Sequence, residues 1–193
     1  MFCMHNFEND ITECCRVMEK GSLILYPTDT IWGIGCDATN EKAVEKIYQL
    51  KNRDDKKSMI MLVADEKDIS SYVDQPGKKI FDYLSSAYKP TTVIYNHAKN
   101  IAQNLISSDG TIAIRIVKDK FCESLIRQFK KPIVSTSANI SGEAFPENFY
   151  AINTAIKNGV DYVVQHRQKD LMSSQPSSII KLNTKGKVEI IRF

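Results

Sequence analysis

Short apolar runs and amphipathic stretches alternate along most of this chain, and no other feature constrains its fold as tightly. Leu23 to Tyr26, Ser58 to Val63, Thr91 to Tyr95, Thr111 to Val117, Ile133 to Thr136 and Asp161 to Val164 have the composition of strands. Between them, helical spacing predicts helices over Asp10 to Lys20, Glu41 to Leu50, Asp65 to Tyr72, Lys78 to Tyr88, Asp119 to Lys130 and Glu147 to Asn158. Asp10, Asn40 and Asp65 stand where N-caps are expected. Ser178 to Leu182 and Lys187 to Arg192 read as a closing hairpin around Asn183 to Gly186. This order predicts one α/β domain over residues 1–193, with a mixed open sheet and flanking helices.

A chain of 193 residues can bury one sizeable core, and its 42% hydrophobic and 25% charged residues are those of a globular protein. The formal net charge of +3 permits an anionic ligand without requiring nucleic acid. Met1 to Glu8 has no basic segment followed by an apolar one, and no stretch approaches a membrane span. A cytoplasmic protein with no membrane association is therefore expected. Cys3, Cys14, Cys15, Cys36 and Cys122 are scattered without metal-ligand spacing, which predicts reduced thiols. His5, His97 and His166 have no spacing for a metal or a triad and read as surface residues.

The loop leaving the first strand, Pro27-Thr28-Asp29-Thr30, offers two hydroxyls and a carboxylate where open α/β sheets bind ligands. The same residues also suit a plain hydrogen-bonded turn. Gly33 to Ala38 matches a dinucleotide fingerprint in letters only, because Pro27 to Trp32 part it from the strand and the helix waits until Glu41. Lys51 and Arg53, two residues apart on an extended loop, share one side and can address one anion, although a charged run is usually a solvated face. Ser137-Ala138-Asn139 repeats that spacing, with Ala138 leaving room for a ligand; a local turn uses Ser and Asn in the same way. In Thr111 to Val117, Ile112, Ile114 and Ile116 share one face, and Thr111, Ala113 and Arg115 the other. Two small residues beside a long cation leave a hollow. Arg115 is expected to face a ligand carboxylate or phosphate there, or else to pair with an Asp or Glu of a neighbouring element.

Taken in order, Pro27 to Thr30, Lys51-x-Arg53, Ile112 to Arg115, Ser135 to Gly142, Pro176 to Ile180 and Ile190-Ile191-Arg192 resemble the signature of the YrdC family of threonylcarbamoyl-AMP synthases. The similarity runs over nearly the whole chain. It implies a twisted α/β sheet with a concave, positively lined cavity. It also implies an enzyme that joins L-threonine, bicarbonate and ATP, with Mg²⁺ arriving on the ATP, into threonylcarbamoyl-adenylate and pyrophosphate for tRNA threonylcarbamoyladenosine. By the same resemblance Thr30, Arg115 and Ser177 would contact threonine. Lys51, Arg53, Thr111, Ser137, Asn139 and Arg192 would hold the nucleotide, and Lys51, Arg53, Ser137 and Asn139 would serve the chemistry. Downstream tRNA threonylcarbamoyl-transfer proteins are the implied partners, with weak tRNA binding besides. Trp32 stands where Tyr is common, and Leu62 where many relatives carry His. An RNA-binding module using the same basic cavity, and a carbamoyl-transfer enzyme with another acceptor, share these residues.

Overall fold

Side-chain caps set most helix starts. Asn40 accepts from the Ala43 N–H ahead of α2 (Glu41–Lys51), and Asp119 accepts from Cys122 ahead of α5 (Lys120–Phe129). Asp65 and Asp68 cap α3 (Glu66–Ile69) reciprocally, each side chain taking a backbone N–H of the other's turn. The remaining helices are α1 (Glu8–Glu19), α4 (Lys78–Ser86) and α6 (Thr154–Asn158). The structure is a computed structural model that describes residues 7–52, 59–74, 76–172, 175–182 and 188–192.

Among the described residues, nine strands form one mixed sheet: β1 (Ile24–Tyr26), β2 (Gly33–Gly35), β3 (Ile60–Val63), β4 (Thr91–Tyr95), β5 (Ile112–Ile116), β6 (Ile133–Ser137), β7 (Tyr162–Val163), β8 (Ser178–Leu182) and β9 (Val188–Arg192). Their order is β7-β1-β2-β6-β3-β5-β4-β8-β9. The expected hairpin of β8 and β9 is antiparallel, and its connection lies outside the described residues. Antiparallel pairing also joins β1–β2, β2–β6, β3–β6 and β4–β5, so the sheet is mixed well beyond its closing hairpin. β2 was not expected as a strand. Gly35 is there because a side chain would not fit: a Cβ would stand 2.8 Å from the Val134 carbonyl oxygen and 2.6 Å from the Tyr26 ring.

Each face of the sheet has its own core. On one, Val44, Ile47, Met61, Val93, Ile114 and Ile180 pack as a continuous cluster that includes the buried side of α2. On the other, α1 and α5 bring Cys14, Met18, Phe121 and Leu125 against Ile24, Tyr26 and Leu62. Burying each Leu or Phe contributes roughly 1.5–3 kcal/mol. This second layer leaves bare much of the face it covers, from β2 across to β8, and the bare part is the floor of a cavity.

Three local expectations are corrected. Asp10 does not cap α1; it is buried, and its carboxylate accepts from the Tyr162 hydroxyl (2.6 Å) and the backbone N–H groups of Gln165 (3.0 Å) and His166 (2.9 Å). His166 is not a free surface residue, since its half-buried ring stacks on Phe121 and tilts against Phe7. The helix expected over Glu147 to Asn158 is interrupted. Asn148 caps a 3₁₀ turn at Phe149–Ala151, Ile152 is extended, and Asn153 caps α6 afresh. Each asparagine offers the backbone a local partner that competes with a continuous helix.

Cys14, Cys15, Cys36 and Cys122 are free and buried. Burial pushes every one of these thiols up, Cys15 to about 11 and the other three further.

Replacing Asp10 tests its corrected role. Asp10→Ala should lower unfolding stability by about 3 kcal/mol in urea titration, because two backbone N–H groups and a hydroxyl lose a charged acceptor. An N-cap alone would cost about 1 kcal/mol.

Candidate active site

The cavity encloses about 340 Å³. Register assembles its floor: Gly33 lies opposite Ser137, Ser135 opposite Ile60, Ile60 opposite Ala113, and Ala113 opposite Ile94. Thr30, Arg115, Ser137, Ser177 and Arg192 all line it, so five separated motifs of the sequence meet in one place. Trp32 and Phe145 add aromatic wall, and Trp32 packs on Phe149 with ring centroids 4.9 Å apart.

Arg115 is 3% exposed and Asp29 is 8% exposed, and an Arg115 Nη2 lies 3.0 Å from Asp29 Oδ1. Arg115 therefore lines the cavity and also pairs with a carboxylate of a neighbouring element. The contact is close in distance but poorly aligned. Arg115 Nη2 and Asp29 Oδ1 form no hydrogen bond despite that distance, and Arg115 Nε has none either. A buried guanidinium so held keeps a strong demand for a second anion.

Ser177 and Thr92 share a hydroxyl–hydroxyl hydrogen bond of 2.8 Å beside Arg115, and Arg192 donates Nη2 (2.8 Å) and Nε (3.2 Å) to the Ser177 carbonyl. Arg192 reaches the cavity through a β-bulge. Ile180 pairs with Ile190 while Ile179 pairs with Arg192, which leaves Ile191 extra and turns Arg192 to the side of Ile179. Desolvation, and then the neighbouring Arg115, hold the Arg192 guanidinium below its ordinary value. Thr28 Oγ1 accepts from the Thr30 N–H (3.0 Å), donates to the Ile31 carbonyl (2.8 Å) and meets Thr30 Oγ1 at 2.9 Å. The turn expected at these residues is real, and it aims Thr30 at the cavity.

Of the other expected site residues, Lys51, Asn139 and Thr111 do not line the cavity. Lys51 is not on an extended loop: it is the last residue of α2, it is 1% exposed, and Asn52 closes the helix in the left-handed region. Its ammonium donates to the carbonyls of Ser137 and Asn139, and its own carbonyl accepts from Ser141. Lys51 thus anchors the loop that presents Ser137. Asn139 turns its amide onto that loop, donating to the carbonyls of Ile140 and Glu143. Thr111 donates to Asp109 (2.7 Å) and does not line the cavity. Arg53 lies outside the described residues. No cluster of three or more His, Cys, Asp or Glu side chains able to hold a metal ion occurs among the described residues.

A protein-family model named for Sua5, YciO and YrdC, and described as telomere recombination, matches residues 16–193. A threonylcarbamoyl-AMP synthase of Pseudoalteromonas translucida is 31% identical over 184 residues, which is 94% of this chain and 97% of that protein. The chain belongs to the Sua5/YciO/YrdC family. P. abyssi Sua5 complexed with L-threonine superposes with a TM-score of 0.84 at 20% identity, over 96% of this chain and 54% of that one. Full-length HypF in a phosphate- and nucleotide-bound form matches with a TM-score of 0.81 at 20% identity, over 94% of this chain and 28% of that one. The chain spans about half of that Sua5 and about a quarter of that HypF, and both likenesses are of fold.

Within this Sua5/YciO/YrdC domain, Leu62 is fully buried under α1 and α5 beside Phe121, so its position supplies packing where a polar contact was expected of relatives. Sequence reasoning missed Trp32 and Phe145 as walls, and it missed Arg167, whose Nη1 donates to the Thr28 carbonyl at 3.1 Å. An aromatic residue or an arginine in a polar loop carries no spacing signal of its own.

The Arg115–Asp29 pair makes stability and function separable. Arg115→Met should cost about 3–5 kcal/mol in urea unfolding, because it strands the Asp29 carboxylate. The double variant Arg115→Met/Asp29→Asn should recover at least half of that loss. Lys51→Met should cost on the order of 2–4 kcal/mol by leaving two loop carbonyls unpaired, where a lysine on a solvated face would change stability by less than about 0.5 kcal/mol.

Proposed function

We propose that this chain is a threonylcarbamoyl-AMP synthase, condensing L-threonine, bicarbonate and ATP into threonylcarbamoyl-adenylate and pyrophosphate. The observation that carries the reading is the meeting of Arg115, Arg192, Ser177, Thr30 and Ser137 in one cavity, with Arg115 buried and incompletely paired. Supporting it are a relative of that name across nearly its full length and the fold shared with a Sua5 that was complexed with L-threonine. The fold shared with a phosphate- and nucleotide-bound HypF supports the nucleotide half.

Thr30, Arg115 and Ser177 take the amino acid, its carboxylate meeting the Arg115 guanidinium. Ser137 and Arg192, with Arg53, take the nucleotide phosphates. Lys51 and Asn139 act on the nucleotide through the loop they build around Ser137. Threonine's amine and bicarbonate give a carbamate and water. A carbamate oxygen then attacks the α-phosphorus, and the bond to pyrophosphate breaks. Little proton transfer is required, so the work is positioning and the stabilisation of negative charge by cations and hydroxyls. The cavity walls offer hydroxyls and guanidiniums, which would hold the triphosphate, and Mg²⁺ carried in with the ATP would supply further neutralisation of phosphate charge. The adenylate passes to proteins that transfer the threonylcarbamoyl group to tRNA, and the net charge of +3 allows a weak, salt-sensitive contact with that tRNA.

Pyrophosphate release measured with each substrate omitted in turn tests the reading. Release should require ATP, bicarbonate and L-threonine together, and serine should be poorer by roughly 10–200-fold for its missing methyl group. Release without threonine would point to another acceptor, and RNA binding with no release to a binding module.

A further inference from the structure

The segment that follows β7 reaches the cavity from behind, and its contacts form a continuous line. Asp10, on α1, fixes the backbone of Gln165 and His166, and the His166 ring packs against both Phe7 and Phe121. Arg167 follows directly, in the left-handed region at φ 65°. Its Nη1 donates to the Thr28 carbonyl at 3.1 Å and to Asp119 Oδ2 at 3.3 Å, while its Nε lies 3.5 Å from Asp170 Oδ2. Asp119 in turn caps α5 through its other oxygen, accepting from Cys122 at 2.9 Å. Arg167 thus ties one carbonyl of the site turn to a helix start and to a segment anchored in the core. Thr28 is also the residue whose hydroxyl sets Thr30, through the Thr30 N–H and the Thr30 hydroxyl.

We propose that Arg167 is a positioning residue for the amino-acid side of the cavity, holding the Thr28 carbonyl so that Thr30 keeps its place facing Arg115 and Ser177. Arg167 does not line the cavity that Thr30, Arg115 and Ser177 share, so it acts through the turn rather than on the substrate. One charged donor on one backbone oxygen is a small device, but it bears on the residue whose hydroxyl sets Thr30, whereas the turn's other outside contacts reach Pro27 and Asp29. Releasing that oxygen frees Thr28 and Thr30 together. The nucleotide side is built on a different support, the loop anchored by Lys51.

The inference rests on the threonine reading above, and its test separates the two. In Arg167→Met, the KM for L-threonine should rise about tenfold or more, the usual size of one lost charged hydrogen bond. The KM for ATP should move less than about twofold, and Arg167→Lys should restore part of the loss. Independently of substrate, amide hydrogen exchange at Thr30 should quicken about tenfold in Arg167→Met, while exchange at Val134 in the sheet stays as in the wild type. An equal rise in both KM values, an unmoved threonine KM, or unchanged exchange at Thr30 would each overturn the proposal. If Arg167→Met does not fold, Arg167→Lys read by the same two measurements decides it. Should the wild type show no threonine-dependent pyrophosphate release, the threonine reading falls, and Thr30 exchange alone decides whether Arg167 holds the turn.

Discussion

A guanidinium set into the floor of a sheet must be compensated, and the way Arg115 is compensated governs the rest of this molecule. Asp29 supplies a carboxylate from the turn after β1, close enough to neutralise the cation and too poorly aligned to saturate it. That arrangement needs the turn to be held, needs small neighbours so that the cation stays reachable, and needs the covering layer to stop short. Ala113 beside Arg115 and Ser135 two strands away are small enough. The layer formed by α1 and α5 ends at Leu62, the residue opposite Arg115 on β3. One strand position thus carries the boundary between hydrophobic core and ligand cavity.

The parts of the fold that were legible in the sequence are those set by local physics. Asn40 and Asp65 cap helices as expected because a side-chain oxygen next to free N–H groups acts on its own. Every strand but β2 was legible from its apolar run, and the cavity face of β5 from simple alternation. Partners at a distance were not legible. Asp10 sits where a cap belongs, but its carboxylate serves a segment 155 residues further on. Lys51 belongs to a charged run that reads as solvated, yet its ammonium is drawn inside by carbonyls 86 and 88 residues away. The break at Ile152 was hidden because Asn148 and Asn153 are acceptable in a helix and better as caps.

The candidate site divides along the same line. Thr30, Arg115, Ser137, Ser177 and Arg192 belong to short motifs of the sequence, and the sheet brings those motifs to one cavity. Of the residues that hold them, Lys51 and Asn139 were singled out for a different role and Arg167 was missed, because a supporting contact leaves no spacing in a sequence. Arg192 shows the difference most plainly. By strict alternation from Ile190, its side chain would turn away from the cavity, and only the unpaired Ile191 reverses it.

The buried thiols have a consequence for chemistry imposed from outside. Oxidants and alkylating agents react with the thiolate, and burial leaves almost none of it at neutral pH in Cys14, Cys15, Cys36 or Cys122. Their modification must therefore wait for the fold to open, and its rate becomes a clock for that opening. Cys122 lies with its sulfur 3.4 Å from the Pro27 carbonyl oxygen, beneath the turn that carries Asp29 and Thr30. A reagent that labels Cys122 ahead of Cys36 would be timing the breathing of that turn, and a ligand bound above it would slow the clock.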